Sequence, residues 1–124
     1  MPIVEVENVL LPGESIRTGL AAEIADRSGQ IFGSPPGSTW VKLRAIPCDH
    51  YAEDGGGPPD GVCPVFVSVL KARLPAPDAL RVEVVRLSAA IAEATGRPVE
   101  NVHIAYLPAG AGRVVFGGEL VSAE

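Results

Sequence analysis

Residues 63–70 read Cys-Pro-Val-Phe-Val-Ser-Val-Leu, a proline followed by a run rich in β-branched residues, and they predict a strand over Cys63–Leu70. The chain opens in the same way. Pro2-Ile-Val-Glu-Val6 predicts a short strand with Ile3, Glu5 and Glu7 on one face and Val4 and Val6 on the other. Past the turn residues Pro12 and Gly13, Ser15 is placed to cap a helix carrying Ile16, Leu20, Ile24 and Ile31 at helical spacing. Gly33 ends that helix, Pro35-Pro36-Gly37 is loop, and Trp40–Ile46 is a strand closed by Pro47.

The second half repeats the plan. Pro77 suits the first position of a helix and Asp78 its first turn, and Leu80, Val84, Leu87 and Ile91 form the buried stripe. Gly96 and Pro98 stop it, and Val102–Leu107 is a strand closed by Pro108. The expected organisation is therefore one domain of two strand–helix–strand units, residues 2–47 and 63–124, joined by a loop at 48–62. Its centre, Asp54-Gly-Gly-Gly-Pro-Pro-Asp-Gly61, reads as a mobile surface loop. Right-handed crossovers make the strands of each unit parallel. The fold class is α+β, a four-stranded mixed sheet with two helices on one face. Val65, Val67 and Val69 are too apolar for solvent if they point to the other face, and an oligomer would then cover them.

A chain of 124 residues buries a core without metals or disulfides. Its net charge of −5 argues against nucleic acid as the main partner. The sequence shows no signal peptide and no membrane span, and its two cysteines, Cys48 and Cys63, suggest a reducing cytoplasm. Cys48, His50 and Cys63 lack the close cysteine pair of a zinc site, so no metal is expected. Gly110-Ala-Gly112 lacks the third glycine of a dinucleotide loop and reads as a turn.

Met-Pro at the start, the doubled unit and Phe116-Gly-Gly-Glu-Leu120 together resemble the tautomerase superfamily. The last stretch resembles the end of 4-oxalocrotonate tautomerase. Val102-His-Ile-Ala-Tyr106 is similar to a strand of macrophage migration inhibitory factor and of cis-3-chloroacrylic acid dehalogenase. Val65–Lys71 resembles 5-carboxymethyl-2-hydroxymuconate isomerase. The resemblance implies loss of Met1, a free Pro2 amine acting as general base, no cofactor, and a homotrimer. It also implies a small enol or unsaturated oxo-acid as substrate.

The chemistry suits that residue. A free α-amino group titrates near ~7.7–8.0, and burial beside cations disfavours its charged form, which poises it as a base near neutral pH. Pro64, a tertiary amide, has no such option. Arg73 and Lys71, at the end of the strand expected beside Pro2, are the candidates for holding the substrate carboxylate. His103 occupies a strand position that carries an arginine or a tyrosine in relatives and reaches a neighbouring subunit's site; its counterpart in the first half is Lys42. Arg113 and Phe116 are candidates for the rim and the apolar wall. Val115 falls where the dehalogenase has a water-activating glutamate, and Ser38 where malonate semialdehyde decarboxylase has an aspartate. Tautomerase activity is thus the first reading. A hydratase, dehalogenase or decarboxylase, or a non-catalytic binding protein of the same fold, are its alternatives.

Overall fold

Val4, Val6, Val65, Val67 and Val69 are each at most 4% exposed, and this alternation decides which face of every strand meets the helices. The computed structural model describes residues 1–124. Its main elements are β1 (Ile3–Val9), α1 (Leu20–Phe32), β2 (Trp40–Ile46), β3 (Val65–Leu70), α2 (Pro77–Thr95) and β4 (Val102–Tyr106). Four strands form one sheet in the order β2-β1-β3-β4. β1–β2 and β3–β4 are parallel, while β1–β3 is antiparallel, with Val4 opposite Val69 and Val6 opposite Val67. Those valines pack with Leu20, Ile24, Leu87 and Ile91 into one core. A hairpin of β5 (Val115–Phe116) and β6 (Glu119–Leu120) follows. Its two-residue turn, Gly117-Gly118, holds φ at 60° and 87°, which favours glycine at both positions.

Two expectations change. The first helix begins at Leu20 rather than beside Ser15, because Gly19 sits at φ 90° and Leu11–Glu14 is already a turn. Ile16 still packs on the core, from the loop. The segment at 48–62 carries local contacts: Glu53 pairs with Gly57, the Tyr51 hydroxyl donates to Glu53, and the Tyr51 ring lies 5.7 Å from that of Phe66 on the sheet. The open sheet face also differs. Val65, Val67 and Val69 lie under the helices, so that face carries Glu5, Glu7, Lys42, Arg44, Phe66, Ser68 and His103 instead. The face is mixed, its charges sharing a parity with Ile3, Trp40 and Leu70, and the valines, buried under the helices, supply no argument for assembly. Glu5 is held below the ordinary carboxylate range by its hydrogen bond and ion pair with Lys42, with Arg44 adding to the effect.

Arg97 ties the two units together from just past α2. Its guanidinium, 8% exposed, donates from Nε to the Cys63 carbonyl, from Nη2 to the Val9 carbonyl, and from both terminal nitrogens to Glu14. Glu14 also accepts from the Leu11 amide. The Arg97 hydrogen bond is the main cause that holds the Glu14 carboxyl below its usual range. A lowered folded-state value means that this contribution is present above the unfolded value near ~4.3 and fades as pH falls through the folded one. Arg97→Met removes the charge, leaves the partly buried Glu14 carboxylate with only the Leu11 amide, and takes the side-chain donor from the Val9 and Cys63 carbonyls. It should cost about 3 kcal/mol, read by urea denaturation at neutral pH. The gap between wild type and variant should narrow as the pH is lowered below about 4.

Candidate active site

Parity along the strands sends Pro2 and Lys71 to the helix side of the sheet, at the end where β1 begins and β3 stops. The antiparallel register pairs Ile3 with Leu70, so the residues flanking that pair, Pro2 and Lys71, come to the same end. They meet the end of α1, which Gly33 closes in the left-handed conformation at φ 66°. The result is a cleft of about 470 Å³ lined by Pro2, Phe32, Ser34, Ser38, Lys71 and Arg73, among others. The Pro2 carbonyl accepts from the Trp40 amide at 3.0 Å, which anchors the residue in the cleft lining, where Met1 also lies.

The two cations are held differently. The Lys71 side chain is 11% exposed, and its Nζ donates to both carboxylate oxygens of Glu83 at 2.8 and 2.9 Å. The same Nζ lies 4.0 Å from the centre of the Phe32 ring, a cation–π contact. Glu83 also accepts from the Tyr106 hydroxyl. Burial chiefly, and then this carboxylate, raise the Tyr106 phenol well above its ordinary value, so it stays a donor. Arg73 is exposed and donates from Nη2 to the main-chain oxygens of Ser122 and Glu124. Its Nε and Nη1 have no protein partner.

Of the other sequence candidates, none lines this cleft within one chain. Lys42 pairs with Glu5 at 2.6 Å on the opposite sheet face. His103 stacks on Phe66 there, with ring centres 5.5 Å apart, beside a separate depression of about 300 Å³ that includes Glu5, Glu7 and Arg44. Arg113 donates to the Ala109 carbonyl. Phe116 meets Trp40 edge to face at 5.5 Å, which brings the hairpin near Pro2 without lining the cleft. Sequence reasoning missed Glu83. The signal was present: Glu83 lies three residues after Leu80 and four before Leu87, so it falls on the buried stripe of α2, where a carboxylate needs partners.

No protein-family model matches the chain, and no curated protein sequence does. Solved structures do. A fused 4-OT, described as a wild-type symmetric trimer, superposes with a TM-score of 0.76 at 15% identity, covering 97% of this chain and 95% of that one. The macrophage migration inhibitory factor of Oncomelania hupensis gives 0.75 at 20% identity, covering 98% and 82%. Pt0534, solved after inactivation by 2-oxo-3-pentynoate, gives 0.74 at 19% identity, covering 97% and 95%. At these identities the likeness is one of architecture, and the chain has the fold of the tautomerase superfamily, the family that its sequence motifs resemble.

Proposed function

We infer that this protein is a cofactor-independent cytoplasmic tautomerase of small enol or unsaturated oxo-acids, with the amine of Pro2, freed by removal of Met1, as general base. The observation that carries the reading is the convergence of Pro2 with Arg73 and Lys71 in one cleft at the open end of the β1–β3 pair. The amine lone pair takes the enol hydroxyl proton, the oxygen electrons form the carbonyl, and the conjugated double bond shifts toward the distal carbon. The ammonium then returns its proton to that carbon, and the amine is regenerated. Arg73, through its unpartnered Nε and Nη1, grips the substrate carboxylate. Lys71 lies in the cleft wall with its charge paired to Glu83. Burial beside the exposed Arg73 cation disfavours the protonated amine.

The lining favours proton transfer over addition of water. It contains hydroxyls at Ser34 and Ser38 but no carboxylate to activate a water molecule. The Ser38 hydroxyl is itself turned to the Pro35 carbonyl at 2.7 Å. The assembly is a homotrimer like that of the fused 4-OT, in which Lys42, His103, Arg113 or Phe116 of a neighbouring copy completes the site. Sedimentation should show a trimer at micromolar concentration, and a stable monomer would remove the neighbour's contribution.

Two outcomes are expected in the assay of phenylenolpyruvate and 2-hydroxymuconate. Chain beginning at Pro2, verified by intact mass, should be active, with kcat/KM rising with pH to a plateau and a midpoint below the ~7.7–8.0 of a free α-amino group. Chain extended by any residue before Pro2 should be inactive. The same pair should separate on incubation with 2-oxo-3-pentynoate, where the free amine adds to the alkyne and only the processed form gains mass on its N-terminal peptide. Equal activity in both forms would exclude Pro2 as the base. Arg73→Ala should lower kcat/KM about tenfold to a hundredfold with the fold intact, the loss of one charge-assisted contact. Unchanged kinetics would place the carboxylate site elsewhere.

A further inference from the structure

We propose that Glu83 is a positioning residue that sets the charge of the Pro2 cleft: by taking both Nζ hydrogen bonds of Lys71, it cancels that cation in the resting site and keeps the amine of Pro2 more basic than its surroundings would otherwise leave it. The inference rests on the reading of Pro2 as a free amine in this cleft. Its grounds are geometric. The Lys71 ammonium has Glu83 oxygens at 2.8 and 2.9 Å on one side and the Phe32 ring at 4.0 Å on another, so most of its hydrogen-bonding capacity is taken by the protein. Both members of the pair are nearly enclosed, at 11% and 12% side-chain exposure. The Tyr106 hydroxyl donates to Oε2, one of the two oxygens that Lys71 holds, and keeps Glu83 from swinging away.

The charged or titratable groups that face this spot come from few elements. Lys71 and Arg73 follow β3, Tyr106 lies on β4 and Glu83 on α2, while α1 contributes the Phe32 ring and the following turn only hydroxyls and main chain. Glu5 and its partners Lys42 and Arg44 lie across the sheet on the other face. Glu124, whose main-chain oxygen accepts from Arg73, is an acidic residue at the exposed rim, and Glu83 is the anion paired with Lys71. An ion pair with both partners present exerts a small field at a short distance; one partner alone exerts a full one. Removing the carboxylate leaves a bare cation beside Pro2, which disfavours protonation of the amine and lowers its pKa. Removing both partners restores the balance.

The test is a direct titration of the Pro2 amine by 15N-proline NMR in processed protein, where Pro2 is the one proline that is an amine. This readout does not depend on turnover. If Pro2 is not the base, activity of the extended form reveals that, while the amine midpoint still reports on Glu83. Glu83→Gln should lower the midpoint by about one pH unit, and Lys71→Met in the same chain should bring it back to within a few tenths of wild type. A structural role alone would alter melting temperature without this pattern of shift and reversal. A midpoint that Glu83→Gln leaves unchanged or raises overturns the proposal. Should Glu83→Gln alone fail to fold, Lys71→Met is compared with Lys71→Met/Glu83→Gln, which differ only in the carboxylate. The midpoint must then be higher where Glu83 remains, and equal midpoints overturn the proposal.

Discussion

The antiparallel pairing of β1 with β3 is the constraint from which the candidate site follows. Each unit closes its own parallel pair through a helix, but only this central pairing, from Ile3 opposite Leu70 to Asn8 opposite Val65, joins the two into one sheet. It relates the halves by a local twofold axis and lays the start of each first strand beside the end of the other's. Pro2 thereby meets Lys71 and Arg73 without help from any distant loop. Strand alternation does the rest, since a slip of one residue would turn the valines of β1 and β3 out of the core and carry Lys71 to the opposite face. Burial of Val4, Val6, Val67 and Val69 therefore fixes the register on which the cleft depends.

The same axis generates a second end, and there the sequence does something different. Pro64 lies next to Val9, whose amide donates to the Pro64 carbonyl at 3.1 Å, as Pro2 lies next to Lys71. The caps Gly33 and Gly96 correspond, so Ser34 in the first unit answers to Arg97 in the second. Serine leaves space at the Pro2 end. Arginine fills the space at the Pro64 end and is tied down by Glu14, Val9 and Cys63. A buried amide nitrogen has no use for an open cleft, and the volume is spent on an ion pair that joins the units. One end of a nearly symmetric scaffold is thus closed for stability while the other stays open.

Much of this was legible from residue order. Period-two alternation in Ile3–Val6 and Val65–Val69 located the strands, and the glycine and proline stops located where both helices end. The Gly-Gly-Glu-Leu stretch was legible as a resemblance, and the structure shows it as a hairpin. What was not legible depended on partners far apart in the chain. The helix start moved because Glu14 is held by Arg97, 83 residues away, in a turn that leaves Gly19 to begin α1. The open face was misjudged because alternation alone does not say which parity the helices cover; the charges of Glu5, Glu7, Lys42 and Arg44 on the opposite parity carried that information. Lys71 was legible as a cation near Pro2, but its partner, 12 residues on and on another element, was not weighed.

That partner changes how the cleft meets an anion. A lysine enclosed to 11% exposure is costly to bury alone, and the carboxylate and the Phe32 ring make it tolerable. The same enclosure occupies Lys71, so it is poorly placed to turn toward an incoming carboxylate. Arg73 stands at the rim with one nitrogen on the main-chain oxygens of Ser122 and Glu124 and the others unpartnered. A carboxylate offers charge-assisted bonds to those free donors, and such bonds are roughly twice as strong as neutral ones. The rigid planar fork presents two of them at once, which a point charge cannot do. On the proposed reading the cleft separates two tasks that its cations would otherwise share: the enclosed pair would set the field at the amine, and the exposed guanidinium would be left to hold the acid.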